Sequence, residues 1–169
     1  MASINLCSNT VGQATVELTC NPPKKGDPSH ELFEKEYNAL FESLQRRADT
    51  VSKALNKIEG ISCQNIDGAM YAFPNIVIPE NAVAAAKEKG MAPDAFYCLE
   101  LLENAGICCV PGSEFGQRDG TFHLRTTILP QENDIKQVVE RMAKFHRDFT
   151  KKYQPEIPPF VGNMPPFRG

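Results

Sequence analysis

The chain of 169 residues has 41% hydrophobic and 23% charged residues, a composition typical of one soluble globular domain. Its net charge of −3, without a sustained basic run, argues against nucleic acid as the main partner. No stretch approaches the ~20 apolar residues of a membrane span, and the N-terminus lacks the charged start and apolar run of a signal peptide.

The six cysteines include no CxxC pair, so neither a zinc site nor a thioredoxin-like motif is expected. Four of them lie in apolar runs: Cys63, Cys98, Cys108 and Cys109. This usage predicts reduced, buried cysteines in a compartment of the cytosolic type. A secreted protein with its cysteines paired in disulfides is the alternative.

The first predicted elements are an irregular segment and a long helix. Residues 1–28 are rich in turn residues, and the prolines of NPP block a helix, so this segment is expected to pack against another structure. A helix is predicted from Ser29 to Gly60, with one apolar stripe and charged residues such as Arg47 on the other faces. The stripe comprises Phe33, Tyr37, Leu40, Leu44, Val51, Leu55 and Ile58. It indicates a helix that covers a sheet, with a coiled-coil partner as the alternative.

Two short strands and a short helix follow. Asp67-Gly68 is a hairpin signal between the strand candidates in ISCQNIDGAMYAF. Pro74 and Pro79 are expected to limit further sheet pairing. The alanine-rich stretch ENAVAAAKEKG predicts the short helix.

The second half of the chain has the clearest patterns. A helix begins at Pro93-Asp94 and ends at Gly106, and its buried side is predicted to comprise Phe96, Leu99, Leu101 and Leu102. ICCVPG and TFHLRTTIL are strand candidates on either side of the loop SEFGQRDG. A last helix is predicted from about Glu132 to Lys152, with one apolar face that comprises Ile135, Val138, Val139, Met142, Phe145 and Phe149.

This order of elements predicts an α/β fold, an α+β sandwich in which helices cover a small mixed sheet. Residues 154–169 are rich in proline and are predicted to form a disordered tail.

Arg125 is the main candidate for function, because it places a permanent cation in a strand that otherwise has a core pattern. It either reaches solvent or an acid at a strand edge, or it is held with its fork toward a pocket. A guanidinium binds a carboxylate through two parallel hydrogen bonds, and a strand would hold it more firmly than a loop. The preceding loop, with Gly112, Gly116 and Gly120, would shape the mouth of such a pocket.

The other polar candidates are weaker. His123 shares the strand face of Arg125, but a lone histidine is more often a packed residue. Only one of Cys108 and Cys109 is expected to face inward, and neither is expected to react. Glu114 and Asp119 are expected to be solvated. The glycine-rich loop leads into a strand rather than a helix, so a phosphate loop is excluded, and the sequence holds neither GxSxG nor HExxH.

Several longer stretches resemble the C-terminal part of the eukaryotic-type alanine aminotransferases, which are pyridoxal-phosphate-dependent aminotransferases of fold type I. The resemblance covers about residues 2–153 and rests on INLCSNTVGQ, NPPKKGDPS, GAMYAFP, FHRDFTKKY and above all MAPDAFYCLELLENAGICCVPGSEFGQRDGTFHLRTTILP. It implies a homodimeric enzyme that converts L-alanine and 2-oxoglutarate into pyruvate and L-glutamate, in the cytoplasm or in mitochondria.

The resemblance also implies roles for single segments. Arg125 matches the arginine that binds the α-carboxylate of the amino-acid or 2-oxo-acid substrate. Residues 112–116 match a loop that enters the active site, and residues 29–153 match the small domain. The segment 1–28 matches a remnant of the large-domain region, which in aspartate aminotransferases carries a second arginine that is absent here.

The sequence also departs from the family pattern. The large domain, the Schiff-base lysine motif, the acidic partner of the pyridine nitrogen and the phosphate cup are missing, and lysines such as Lys53 and Lys136 lie in polar contexts. We therefore expect a truncated product with no catalytic, cofactor-binding or metal-binding residue, inactive alone and without its own pyridoxal 5'-phosphate. The alternative is a non-catalytic interaction or dimerisation fragment that docks on full-length aminotransferase subunits.

Overall fold

A computed structural model describes residues 8–154 of the chain. Residues 1–7 and 155–169 lie outside this range, so the predicted disorder of the tail concerns, apart from Gln154, residues that are not described. The chain divides into two compact units, Met1–Ser43 and Leu44–Gly169. No helix within residues 8–154 combines the length and the apolar character needed to cross a membrane.

The first unit contains helix α1, Thr10–Cys20, in a segment that was predicted to be irregular. The side chain of Asn9 caps this helix by accepting hydrogen bonds from the N–H groups of Val11 and Gly12, at 2.9 and 3.3 Å. No proline interrupts residues 10–20, so a good cap is enough to start a helix here. The turn signals apply only to the residues on either side of it.

Helix α2, His30–Leu55, starts in the first unit, and its buried residues all lie in the second. Val51 and Leu55 of the predicted apolar stripe are buried, together with Ala48, whereas Tyr37 and Leu40 remain 57% and 59% exposed. Arg47 was expected on the surface, but it is 6% exposed. Its guanidinium donates to the carbonyl groups of Leu129 and Pro130, which satisfies the buried cation.

The strands of the second unit are short: β1, Ile61–Ser62; β2, Tyr71–Ala72; β3, Asn75–Ile76; β4, Val110–Pro111; and β5, Leu124–Thr127. One sheet has the order β2-β5-β4 and the other pairs β1 with β3. Each of these pairs is antiparallel. An isolated antiparallel bridge joins Asn75 to His123.

The hairpin predicted at Asp67-Gly68 is wrong, because the two strand candidates on either side of it do not pair with each other. β1 pairs with β3, which places the buried residues Ile61 and Ile76 opposite each other. β2 pairs instead with β5. Burial of two apolar side chains across β1 and β3 decides the pairing in preference to the local turn signal.

Three more helices cover the sheets: α3, Glu80–Glu88; α4, Pro93–Ala105; and α5, Glu132–Lys152. The predicted inner face of α5 is confirmed, because Ile135, Met142, Phe145 and Phe149 are buried. Helix α4 starts at Pro93 and ends at Gly106, whose φ of 63° is left-handed, as the sequence predicted.

The inner face of α4 differs from the prediction. Phe96, Tyr97 and Leu101 are at most 1% exposed, whereas Leu99 and Leu102 are 43% and 44% exposed. The ring of Tyr97 contacts the rings of two α5 phenylalanines, which turns this face toward α5. Leu101 lies one turn after Tyr97, and it therefore shares the buried side.

A buried polar contact also joins these two helices. The hydroxyl of Tyr97 lies 2.9 Å from Nδ1 of His146, and both residues are almost fully buried. Burial lowers the pKa of His146, while a hydrogen bond with the backbone of Glu59 opposes that shift. The predicted α/β fold class is confirmed, whereas the predicted mixed sheet is replaced, within residues 8–154, by two small antiparallel sheets.

Candidate functional site

Strand β5 decides where the side chain of Arg125 lies. Successive side chains of a strand point to opposite faces. Leu124 is fully buried on the core face, whereas Arg125 is half-buried on the other face. Arg125 is paired with Val110 of β4, and Thr127 is paired with Tyr71 of β2. Tyr71 and Arg125 therefore lie on the same face of the three-stranded sheet.

Two aromatic rings flank the guanidinium of Arg125. Its central carbon lies 4.7 Å from the centre of the Tyr71 ring and 4.6 Å from the centre of the Phe115 ring. Each contact is a cation–π interaction, which contributes about 0.5–1 kcal/mol at an exposed site. The rings are themselves 48% and 47% exposed, so they form an open aromatic clamp on the surface. The aromatic clamp consists of Tyr71, Phe115 and the guanidinium of Arg125.

The guanidinium of Arg125 has no hydrogen bond or ion pair with any residue of the described range 8–154. Other arginines of the second unit are bound differently, since Arg47 donates to backbone carbonyl groups and Arg46 forms an ion pair with Glu132 at 3.0 Å. A guanidinium carries five N–H donors in its plane. Those of Arg125 are therefore available to an anion that approaches along the edge of the group.

The aromatic surface continues beyond the clamp. Phe115 meets Phe73 edge to face at 5.9 Å, and Phe73 stacks on the ring of His123 at 5.3 Å. His123 thus lies on the same side as Arg125, as the strand pattern predicted. Phe73 and His123 also line a cavity of about 350 Å³, together with Asn75 and residues 62–64. The site is a partly apolar surface with one cation.

The glycines of the preceding loop have distinct roles. Gly112 is buried and begins a short 3₁₀ helix, Gly112–Phe115, which carries the clamp ring Phe115. Gly116 and Gly120 adopt φ values of 71° and 79°, a region that favours glycine. The sequence predicted that these glycines shape the mouth of a pocket; in the structure Gly112 and Gly116 lie at the two ends of the short helix that carries Phe115.

The remaining candidates form no reactive group in this structure. Cys108 is exposed and Cys109 is half-buried, so only one of the two faces inward, as the alternation of a strand predicted, although Cys108 is not buried as its apolar run had suggested. Burial raises the pKa of the Cys109 thiol to about 11, so it is not a nucleophile near neutral pH. Glu114 and Asp119 are exposed, as predicted. Residues 8–154 contain no cluster of three or more metal-binding side chains.

Comparisons with known proteins show what this chain is similar to. A probable mitochondrial alanine aminotransferase of Dictyostelium discoideum is 52% identical over 154 residues, which are 91% of this chain and 29% of that protein. Alanine aminotransferase 2 of Panicum miliaceum is 51% identical over 154 residues, which are 91% of this chain and 32% of that protein. The chain is a homologue of the C-terminal part of the alanine aminotransferases.

Solved structures support the same conclusion. The alanine aminotransferase from Pyrococcus furiosus matches with a TM-score of 0.65 and 32% identity, over 87% of this chain and 32% of that one. The aspartate aminotransferase from Rhizobium meliloti matches with a TM-score of 0.60 and 29% identity, over 83% of this chain and 32% of that one. No family model matches the chain. The resemblance read from the sequence is therefore confirmed, and the chain spans about 29% of the length of a typical curated alanine aminotransferase.

The lysines of this homologue do not fit the role of an imine-forming lysine. All eleven lysines of the sequence lie within residues 8–154, and every one is exposed. The pKa of Lys152 is raised, mainly by hydrogen bonding with Tyr153 and also by Glu100. An imine-forming lysine instead needs a lowered pKa, which burial would provide.

Sequence reasoning found Arg125 but missed the residues around it. Tyr71 belonged to a predicted strand and Phe115 to a predicted loop, and nothing in the local pattern placed either ring near the arginine. Asp94 was interpreted only as the residue that begins a helix, and Gln117 was not predicted to have any role. A polar side chain directly after a glycine turn, as in Gly116-Gln117, is the one local signal that marks Gln117.

Proposed function

We propose that Arg125 binds the α-carboxylate of an amino-acid or 2-oxo-acid substrate, as part of an alanine aminotransferase. The observation that carries this proposal is a half-buried guanidinium that two rings hold and that has no acidic partner in residues 8–154. A cation that was held only for stability would be expected to have acceptors, as Arg47 does. The similarity to alanine aminotransferases supports the choice of ligand.

The clamp and a carboxylate would use different parts of the guanidinium. The central carbon of the guanidinium lies over the rings of Tyr71 and Phe115, whereas its N–H donors lie in the plane of the group. A carboxylate that approaches in that plane receives two parallel, charge-assisted hydrogen bonds. The rings would restrict rotation of the group, so less conformational entropy is lost on binding.

The rest of the reaction belongs to parts of the enzyme that this chain does not supply. We propose that residues 29–153 act as the small domain of an intact homodimeric enzyme. That enzyme would convert L-alanine and 2-oxoglutarate into pyruvate and L-glutamate. Pyridoxal phosphate would supply an electron sink in its active site. With its lysines exposed, this chain alone is expected to be inactive and not to bind the cofactor.

The proposed compartment is the cytoplasm, with mitochondria as the alternative because several relatives are named as mitochondrial.

An NMR titration of the full chain with pyruvate and with L-alanine tests carboxylate binding at Arg125. The Arg125→Lys variant keeps the charge and loses the planar fork, so we expect affinity to fall about tenfold or more. Arg118→Lys is the matched control, because Arg118 is exposed in the neighbouring loop and should leave affinity unchanged. Equal binding by wild type and Arg125→Lys would remove Arg125 from the site.

A separate experiment tests the expected lack of activity. The chain is mixed with pyridoxal phosphate, treated with borohydride and examined by absorbance and mass spectrometry. We expect no covalent adduct at a defined lysine and no transamination of L-alanine. A stoichiometric adduct together with transamination would contradict this part of the proposal.

The first unit favours a second candidate function, an interaction fragment that docks on full-length aminotransferase subunits. None of its described residues, 8–43, is buried, and several large apolar side chains are more than half exposed. They comprise Val11, Val16, Leu18, Leu32, Tyr37, Leu40 and Phe41. The rings of Phe33, Tyr37 and Phe41 also stack in a row along α2, which forms a continuous aromatic surface.

Co-purification of the tagged chain with full-length alanine aminotransferase tests this second function. Leu40→Glu places a charge on the apolar surface and should abolish association. Lys35→Glu, at an exposed polar position of the same helix, is the matched control and should retain it. A chain that stays monomeric in analytical ultracentrifugation when mixed with the full-length enzyme would argue against docking.

A further inference from the structure

Asp94 joins helix α4 to the loop that carries Phe115. It lies in the first turn of α4, where a carboxylate is favoured by the helix dipole, and it is fully buried. Its Oδ2 accepts hydrogen bonds from the backbone N–H of Ser113 at 2.7 Å and from the side-chain amide of Gln117 at 3.0 Å. Asp94 therefore holds this loop at two points, one on each side of Phe115.

Gln117 continues the connection to strand β5. Its Oε1 accepts a hydrogen bond from the backbone N–H of His123 at 3.1 Å, while its amide nitrogen donates to Asp94. The reverse orientation of the amide would place two acceptors against each other at Asp94 and two donors at His123. One side chain thus links the end of the loop to the strand that carries Arg125.

The loop is closely packed at Gly112, so its backbone has little room to change conformation. The N–H of Gly112 donates to the carbonyl of His123 at 2.8 Å. A Cβ atom at Gly112 would collide with the side-chain oxygen of Gln117, and it would lie only 2.8 and 2.9 Å from Cβ and O of His123. The start of the loop is therefore packed directly against the Gln117–His123 connection.

The position of Phe115 requires these anchors. Its ring is 47% exposed, so burial of its own surface does not determine where it lies. It nevertheless lies 4.6 Å from the guanidinium of Arg125. The ring contacts of Phe115 at the surface, with Arg125 and with the edge of Phe73, are weak and do not order a loop by themselves.

We propose that Asp94 and Gln117 are positioning residues for the carboxylate site. They fix the 3₁₀ helix on α4 and β5, and this places Phe115 over one face of Arg125. Neither residue touches the bound anion, and each acts through the loop. Because this role concerns the carboxylate site, it rests on the proposed function of Arg125.

The NMR signal of the Arg125 Nε–H proton tests the positioning role without any ligand. Because the guanidinium lies over the rings of Tyr71 and Phe115, their ring currents shift this proton upfield, and Phe115→Leu in the full chain defines the shift that one ring contributes. We expect Gln117→Leu and Asp94→Leu to lose that same contribution and to keep the part due to Tyr71. Methyl signals of Leu124 and Ile128, both buried in the core, should stay in place.

Asp94→Asn is the conservative variant that separates positioning from general stability. Its amide oxygen can still accept from Ser113 and Gln117, and its nitrogen replaces Oδ1, which has no hydrogen-bond partner within the described residues. We expect Asp94→Asn to retain the upfield shift that Asp94→Leu loses. If Asp94→Leu does not fold, Gln117→Leu, at a half-buried position, tests whether the anchors position Phe115.

A second measurement separates this inference from the proposed function. Titration with pyruvate should show an affinity about two- to fivefold weaker for Gln117→Leu than for wild type, the effect of losing one cation–π ring from the clamp. If wild type binds no carboxylate but the upfield shift follows the expected pattern, the proposed function fails and the loop anchoring stands. An unchanged Arg125 signal in Gln117→Leu overturns the positioning role.

Discussion

Arg47 and Arg125 show how one residue type serves two purposes in the same unit. The buried guanidinium of Arg47 donates to carbonyl groups near the end of β5, so its charge is compensated by the backbone. The guanidinium of Arg125 lies between two rings and has no acceptor in residues 8–154. These environments indicate a structural role for Arg47 and are consistent with the binding role that we propose for Arg125.

At the same scale, Gly112→Ala should destabilise the chain. The added methyl group would collide with Gln117 and the backbone of His123, so we expect a loss of about 1–3 kcal/mol in the free energy of unfolding. Gly68→Ala is the control, because a Cβ atom there meets nothing within 4 Å. Urea denaturation of both variants measures the difference, and equal stability would contradict the close packing at Gly112.

His146 makes stability depend on pH. Burial lowers its pKa in the folded state below the ordinary value of 6.5, so in mild acid the unfolded chain binds a proton that the folded chain does not. The contribution of His146 to the free energy of unfolding is largest above pH 6.5. It decreases as the pH falls below that value and becomes constant below the folded-state pKa.

His146→Gln should therefore flatten the pH dependence between pH 5 and 8, by up to about 1.4 kcal/mol for each unit of pKa shift. Comparison of the two chains by urea denaturation at several pH values measures this. Because both chains share the same carboxylates, including the neighbouring Glu59, the difference between their curves isolates the histidine. Parallel curves would show that the pKa of His146 does not change on folding.

Among the elements, α4 shows best how packing refines a helical pattern. Its apolar residues extend around much of the helix, so periodicity alone does not choose the inner face. Tyr97 contacts α5 through its ring and through its hydroxyl, which bonds to His146. This contact selects the face that contains Leu101 and leaves Leu99 and Leu102 partly exposed.

Two leucine substitutions test this assignment directly. Leu101→Ala should cost about 2–5 kcal/mol, because it opens a cavity at a fully buried position. Leu102→Ala, at a neighbouring position that is 44% exposed, should cost about 1 kcal/mol or less. Thermal and urea denaturation of the pair give the order, and a larger loss for Leu102→Ala would restore the face predicted from the sequence.

For the whole molecule, burial is distributed unevenly along the chain. Every buried residue within the range 8–154 belongs to the second unit, and none of the described residues of the first unit is buried. Apolar burial is the main source of stability in a folded domain. Helix α1 and the first part of α2 are therefore expected to depend on another surface for their stability.

Hydrogen exchange of the isolated chain tests this difference. Amides of Thr10–Cys20 should exchange with little protection, whereas amides around Tyr97 and Leu101 should exchange only through global unfolding. Addition of full-length aminotransferase should slow exchange in the first unit if that unit docks. Strong protection of α1 in the monomeric chain would contradict the expectation.

The sequence alone determined the features that depend on neighbours along the chain. Pro93 and Gly106 bounded α4, the apolar stripe defined the inner face of α5, and Arg125 stood out as a permanent cation within a strand. Proline and glycine act through the local backbone, and a stripe acts through the helical repeat, so each of these signals can be read locally.

Only the tertiary structure decided what surrounds that cation. Tyr71, Asp94 and the loop that carries Phe115 and Gln117 are separate segments of the chain, and sheet register and helix packing bring them together around Arg125. The pairing of β1 with β3 was likewise chosen by burial of Ile61 and Ile76 across the sheet. Contacts between distant segments depend on which apolar surfaces can be buried together, and that is a property of the whole fold.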